Sequence, residues 1–435
     1  MEQKSAGLKL TGLNKASLRG EITIPPSKSH TLRAILFASL GKGSSQIYNY
    51  LPSPDTQAMV NACRLLGAVI DVFDDKMVIQ GTNGTIQPIK DQIDVGNSGI
   101  VLRFCSAVAA LSSHPVVITG DLSICSQRPM GPLLQGLCQL GASAVSLQEN
   151  GYAPVTIQGP LKGGIARITG EDSQPVSALL IAASFIEGET DLFVGNPGEK
   201  PWVALTLNWL DRLGIRYENH HFTHYRLFGR ASYAGFTYTV PGDLSSAAFP
   251  LAAALVTESE LLIKNIDLTD CQGDKEAITL FQRMGAHFDI NAANRTLLVR
   301  KGGQLSGIQA DINGCIDGIT ILAAIACYAK GETHLYNAAI AKQKECNRIS
   351  CIAKELQKMG AQIIETEDGL KIQGSPLKGA AVHSYHDHRM AMSLSVAALG
   401  AMGETSVSSI ACIAKTYPTF IKDFNQLGAG IRVLT

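Results

Sequence analysis

Six apolar, alanine-rich segments of the chain each begin with polar or charged residues. These are Ser27-Lys28-Ser29 with Arg33, Asn97-Ser98-Gly99 with Arg103, Asp172-Ser173-Gln174, Asp243-Leu244-Ser245-Ser246, Asp317, and Asp387-His388-Arg389. Serine, asparagine and aspartate are preferred helix N-caps, and capping alone accounts for Asp243 and Ser245. It does not account for Lys28, Arg33, Arg103 or Arg389, which are costly beside a buried apolar helix unless an anion or a carboxylate meets them. Arg128 in SQRPMGP, Lys415 in AKTYP and Lys342, Lys344 and Arg348 in AKQKECNRI extend this cationic set. Helix N-termini present free N–H groups and a positive dipole end, so six converging termini form an anion site without any net charge on the protein. Guanidinium forks suit phosphate and carboxylate alike, and the expected ligand is a small molecule carrying both.

The elements that must place these residues recur along the chain. A helical segment ending in an apolar residue, then glycine, then a strand-like alternation occurs six times: ACRLLGAVIDV, GLCQLGASAVS, NWLDRLGIRYE, LFQRMGAHFDI, ELQKMGAQIIE and DFNQLGAGIRV. The glycines are Gly67, Gly141, Gly214, Gly285, Gly360 and Gly428, about 70 residues apart. Each is placed to end its helix in the left-handed conformation. Upstream of each lies one alanine-rich segment, apolar around most of its circumference and so expected to be buried on nearly all sides. Lys28, Gly99, Ser173, Ser245, Asp317 and His388 hold the same place in the repeat, about 40 residues before its glycine. The unit reads as β-α-β-α-β-β, six times over.

The composition fits a folded, turn-rich globular protein. The 435 residues imply more than one domain; 37 basic and 37 acidic side chains cancel, which argues against nucleic acid or an anionic membrane as a partner. Ten cysteines form no C-x-x-C pair, and Cys105, Cys138 and Cys327 lie in apolar runs, so they read as reduced core residues of a cytoplasmic protein. Met1 to Leu10 lacks the apolar core of a signal peptide, and the run Ile319 to Ala329 falls short of the ~20 residues of a membrane span. The stretch His383 to His388 suggests a metal cluster, yet in an extended segment Asp387 faces away from His386 and His388, and no metal site is expected. The group His220, His221 and His224 reads as a solvated hairpin. No Gly-rich nucleotide cradle is present.

PPSKSHTLRA, VGNSGIVLRF, GDLSICSQRPMGPL, KQKECNRI, SYHDHRMAMSLSVAAL and AKTYPTF, in that order over nearly the whole chain, resemble the 3-phosphoshikimate 1-carboxyvinyltransferase, or EPSP synthase, family of enolpyruvyl transferases. The resemblance implies a two-lobed, inside-out α/β barrel of six βαβαββ repeats, three per lobe, with the active site in the cleft. The lobes would be residues 26–240 and residues 1–25 with 241–435, the chain crossing near Pro25 and Pro241. It implies transfer of the enolpyruvyl group of phosphoenolpyruvate to the 5-hydroxyl of shikimate 3-phosphate, with release of phosphate and without cofactor or metal. The expected protein is a monomer whose partners are these two small molecules.

Carried onto this sequence, the resemblance puts Lys28 against both substrates. Ser29, Arg33, Ser173, Gln174, Asp317 and Lys344 would hold shikimate 3-phosphate. Gly99, Arg128, Arg348, Arg389 and Lys415 would hold phosphoenolpyruvate, with Gln174 nearby. Asp317 would be the base, Glu345 the acid, and Lys28 a further carrier of protons. A glutamate that donates near neutrality needs a raised pKa, so Glu345 is expected to be partly desolvated. Some positions depart from the family pattern: Ile100 and Phe104 stand for threonine and proline, Asp172 and Glu199 for serines, Trp202 for tyrosine, Ile340 for asparagine and Asn347 for aspartate. The sister enzyme acting on UDP-N-acetylglucosamine, with Cys125 as its reactive cysteine, and a noncatalytic binder of phosphorylated metabolites are the competing readings.

Overall fold

The computed structural model of the chain describes residues 7–12 and 17–434. The chain divides into two compact units, Met1–Pro25 with Pro241–Thr435, and Pro26–Val240. Each contains three four-stranded sheets and three buried helices, the helices taking the interior place that strands take in an ordinary barrel.

In the unit Pro26–Val240 the buried helices are α1 (Lys28–Leu40), α2 (Gly99–Ala109) and α3 (Ser173–Ala183). In the other unit they are α4 (Leu244–Val256), α5 (Ile319–Ala326) and α6 (His388–Gly400). Their alanines and serines allow close packing from every side, and nearly every residue of each is buried. Amphipathic helices lie against the sheets: Pro54–Leu65, Gly131–Gln139, Lys200–Arg212, Glu276–Arg283, Arg348–Lys358 and Phe420–Gln426. All six glycines that follow them have positive φ, from +66° at Gly214 to +111° at Gly67. A side chain there would be strained, which explains the spacing found in the sequence.

The sheets share one plan. In the sheet of Gly164–Thr169, Thr190–Gly195, His224–Leu227 and Tyr217–His220, the first pair is parallel and the other neighbours antiparallel. The parallel pair needs a crossover, and α3 supplies it. Two sheets take their first strand from a distant part of the chain. Thr237–Thr239 pairs with Lys42–Tyr48, within one unit. Arg19–Thr23 pairs with Glu260–Lys264, within the other. A third sheet inserts Gly7–Gly12 between Gly403–Ser408 and Ile431–Leu434. The sixth repeat therefore takes its last strand from the start of the chain.

Two expectations need correction. Cys138 is exposed, whereas Cys105 and Cys327 are buried. The helix Gly131–Gln139 buries Leu133, Leu134, Gly136 and Leu137, which leaves Cys138 on its outer flank. The segment after His383 is not extended, because Tyr385 and His386 adopt φ of 55° and 57°. Asp387 caps α6 there by accepting from the Arg389 N–H, and His388 begins the helix. The group His220 to His224 forms a hairpin between two short strands.

Candidate active site

In the unit Pro26–Val240, the first turns of the buried helices carry the expected residues. Lys28 is the first residue of α1, capped by Ser27, and its Nζ lies 3.3 Å from the buried Asp55 carboxylate. Gly99 begins α2, and a Cβ there would come within 3.0 Å of Arg103 Nη1 and 3.8 Å of Arg128 Cζ. A side chain there would press on the end of the Arg103 guanidinium and meet Arg128 at ordinary contact distance. Arg103 donates to Gln174 Oε1 at 2.9 Å and pairs with Asp172 at 3.1 Å, joining the starts of α2 and α3. Arg128 is buried at the end of the helix Leu122–Gln127.

Two residues differ from a bare anion site. Arg33 is buried and donates to Thr206 Oγ1, the Trp202 carbonyl and the Ser29 carbonyl, with its guanidinium 5.1 Å from the Phe104 ring centroid. Its known bonds go to the protein, which fits a positioning part better than direct contact with ligand. Ser173, the first residue of α3, gives both its N–H and its hydroxyl to one oxygen of Glu199, each at 3.0 Å. A side-chain carboxylate thus sits where a helix end attracts anions.

In the unit Met1–Pro25 with Pro241–Thr435, carboxylates and cations alternate. Arg348 donates to Asp317 at 2.7 Å, to Glu345 at 2.7 Å and to Asp387 at 2.7 Å. Arg389, in the first turn of α6, donates to Asp317 at 2.9 Å and to Ser245 of α4 at 3.0 Å. Lys415, on a 3-10 turn, reaches Glu345 at 2.9 Å. Asp317 precedes α5 on the 3-10 turn Asn313–Gly318, so the starts of α4, α5 and α6 meet around it. Burial works to raise the Asp317 carboxyl, yet Arg389, Arg348 and Lys344 outweigh it and hold the group below the usual carboxylate range. Lys344 is buried beside this cluster.

Glu345 has little exposure, as expected, but both of its oxygens accept from cations. It can therefore give a proton only after one of those pairs yields. Glu345, Asp387 and His388 bring ligand-type atoms within 4.8 Å of one another. Arg348 bridges two of these three residues, Glu345 and Asp387.

Three carboxylates had no assigned role in the sequence. Asp387 holds Arg348, Asp55 meets Lys28, and Asp274 lies buried on the turn Gly273–Lys275. Burial, with help from the charges of Asp317 and Asp243 and against Arg389, pushes Asp274 up to about 8. Asp387 was visible as a cap signal, whereas nothing local marked Asp274. Cys125 is half-buried with its thiol 3.6 Å from the Gly120 carbonyl.

The profile of the EPSP synthase (3-phosphoshikimate 1-carboxyvinyltransferase) family matches residues 14–424. The 3-phosphoshikimate 1-carboxyvinyltransferase of Chlamydia pneumoniae is 44% identical over 421 residues, 96% of this chain and 94% of that protein. That of Acetivibrio thermocellus is 42% identical, covering 97% and 99%. The solved EPSP synthase of Acinetobacter baumannii superposes with a TM-score of 0.81 at 29% identity, over 99% of this chain and 100% of that one. The enolpyruvyl transferase NikO from Streptomyces tendae shares the fold, with a TM-score of 0.80 at 18% identity, over the full length of both chains.

Proposed function

The chain belongs to the 3-phosphoshikimate 1-carboxyvinyltransferase family, and on that premise we propose how its residues carry out the reaction. The protein transfers the enolpyruvyl group of phosphoenolpyruvate to the 5-hydroxyl of shikimate 3-phosphate, giving 5-enolpyruvylshikimate 3-phosphate and phosphate. The observation that carries the mechanism is the network in which Asp317 and Glu345 share Arg348, flanked by Arg389 and Lys415.

Phosphoenolpyruvate brings a carboxylate and a phosphate. Arg128, Arg348, Arg389 and Lys415 bind them, with Gly99 leaving the backbone of α2 accessible and Gln174 close by. As the arginines turn from protein carboxylates to the ligand, Asp317 loses the pairs that suppress its basicity and takes the proton of the attacking hydroxyl. Glu345, released by Lys415 and Arg348, delivers a proton to the methylene carbon as the C–O bond forms. Lys28 touches both substrates and stabilises charge as the tetrahedral intermediate forms; Glu345, left as a carboxylate, then takes a proton back from the new methyl group as phosphate departs, which restores the C=C bond of the enolpyruvyl group. Ser29, Ser173, Gln174 and Lys344 hold shikimate 3-phosphate, and Arg33 fixes the wall beside them. These steps need no metal or cofactor.

Among the described residues no helix is long and apolar enough to cross a membrane. The ten cysteines are all free, which supports a cytoplasmic setting, and the balanced charge fits an enzyme of small molecules that works as a monomer. The test is phosphate release from phosphoenolpyruvate by the purified protein. Release that requires shikimate 3-phosphate is the expected result. Release driven instead by UDP-N-acetylglucosamine, or none with either acceptor, would overturn the assignment.

A further inference from the structure

Glu355 lies near the end of the helix Arg348–Lys358, and its side chain is wholly buried. A carboxylate removed from water is costly unless cations and hydrogen-bond donors meet it. Lys358 Nζ lies 2.9 Å and 2.7 Å from its two oxygens, but Lys358 is 42% exposed, and a pair with it alone would need no burial. The other donors come from the segment that leads into α6. The His383 N–H reaches Oε2 at 3.0 Å, and the Tyr385 hydroxyl reaches Oε1 at 2.7 Å. Burial works to raise this carboxyl, yet the bonds from Lys358, Tyr385 and His383 outweigh it and hold Glu355 below the ordinary carboxylate range. Glu355 follows Arg348 by seven residues, two turns on, so both point from one side of the helix. Arg348 meets Asp387 and Glu355 meets Tyr385, and the helix thus grips the segment at two points.

Within this segment Tyr385 and His386 adopt φ of 55° and 57°, a left-handed conformation that costs energy for residues with side chains unless the surroundings impose it. The Tyr385 N–H donates to His383 Nδ1 at 2.8 Å, which leaves the ring proton on Nε2 to donate to Ser409 Oγ at 3.1 Å. The Ser384 hydroxyl donates to the Ser409 carbonyl at 2.7 Å and accepts from the His386 N–H at 3.2 Å. Ser409 directly precedes the 3-10 turn that carries Lys415. We propose that Glu355 is a positioning residue of the transferase: its bond to Tyr385 holds the turn Ser384–Asp387 in its left-handed form, and so places Asp387 against Arg348 and sets the aim of Arg389. Glu355 touches neither substrate. Without it the turn relaxes, Arg348 loses the carboxylate that orients it, and Arg389 shifts with the first turn of α6. Arg348 and Arg389 are assigned to phosphoenolpyruvate, whereas Lys28, Ser29, Ser173 and Gln174 stand on other elements. The effect therefore falls on one substrate.

This inference rests on the reading of Arg348 and Arg389 given above, but the order of the turn can be measured without turnover. Tyr385→Phe in the full chain is the decisive variant, because it removes one hydroxyl and keeps the ring, whereas Glu355→Gln puts an amide beside Lys358 and risks the fold. Phosphate release by Tyr385→Phe should show kcat about tenfold lower and KM for phosphoenolpyruvate at least about fivefold higher, within the cost of small displacements of catalytic groups. KM for shikimate 3-phosphate should change by less than about twofold, since its contacts do not move. A smaller folded fraction would lower kcat and leave both KM values alone, so a rise in one KM separates positioning from stability. Glu355→Gln, where it folds, removes the same link, and the double variant should be about as impaired as the worse single one. Hydrogen exchange in the peptide covering residues 383–389 should be at least about tenfold faster in Tyr385→Phe, as expected when a local bond is lost, and unchanged in residues 26–240. Unchanged exchange in that peptide, an unchanged KM for phosphoenolpyruvate, or a parallel rise in both KM values would overturn the proposal. Faster exchange in the variant of a protein that never releases phosphate would support the link between Glu355 and the turn and count against the transferase reading.

Discussion

Asp317 accepts from Arg348 on one oxygen and from Arg389 on the other, so in this arrangement it is an anchored anion and a weak base. In the proposed mechanism, proton removal by Asp317 depends on substrate drawing those arginines away. Asp317→Asn should lower kcat for phosphate release by about 10³-fold, within the span of general-base losses, and change KM far less. A variant kcat close to that of the wild type would assign the base elsewhere. Asp274 behaves in the opposite way. Its pKa of about 8 in the fold exceeds its ordinary value of 3.8, so the native state holds a proton that the unfolded chain releases. Stability from this group is therefore present below pH ~4 and is lost as pH rises towards about 8. Asp274→Asn should raise Tm at pH 9 by on the order of 5 °C and give no gain at pH 4. Thermal scans across that range check the sign. The contrast shows what the sequence could reveal at this scale. Asp317 was legible because it opens an apolar segment at the repeat's fixed place. Asp274 was not, because its proton is held by burial first and then by the charges of Asp317 and Asp243, an environment that only the folded chain supplies.

The helices were the most legible elements. Caps and apolar runs are local, so Lys28, Gly99, Ser173 and His388 each begin a buried helix, as their place in the repeat implies. The 3-10 turns that carry Lys342 and Lys415 gave no comparable signal, and neither did the partner of Ser173. Glu199 adopts φ 44° and reaches from the start of the helix Lys200–Arg212 to the start of α3. In the proposed binding of shikimate 3-phosphate by Ser173, Glu199 fills the anion place that the substrate would take over. Glu199→Gln keeps an acceptor without the charge, and should lower KM for shikimate 3-phosphate about fivefold, equivalent to the ~1 kcal/mol of a charge at a helix end. A higher KM would mean that Glu199 supports binding. The repeat glycines are a separate matter of stability. At Gly285, φ is +106° and a Cβ would lie 3.0 Å from the Gln304 carbonyl oxygen. Gly285→Ala should cost about 1–2 kcal/mol in denaturant unfolding while leaving kcat unchanged, since the position is remote in the repeat from the helix starts.

Across the whole chain, the order of strands and the order of sheets do not coincide. Every strand of the three sheets in Pro26–Val240 lies within that segment, with Thr237–Thr239 returning to pair with Lys42–Tyr48. This segment holds its own core and its own strand partners, so residues 26–240 expressed alone should fold and unfold cooperatively. Residues 241–435 cannot do the same. Without Arg19–Thr23 one sheet loses its parallel edge, and without Gly7–Gly12 another loses the strand between Gly403–Ser408 and Ile431–Leu434. A gap inside a sheet leaves backbone groups unpaired on both sides, which is more damaging than a missing edge. The register suggests the remedy, because Gly7 pairs with Leu434 in an antiparallel ladder. A single chain running from 241 to 435 and directly on into 1–25 would use Thr435 and residues 1–6 as the connection between those paired strands. It should fold with the secondary structure of the intact unit, by circular dichroism and a single urea transition, whereas 241–435 alone should not. If 241–435 folds as well as the permuted chain, the N-terminal strands are accessories to this unit and not parts of its repeat.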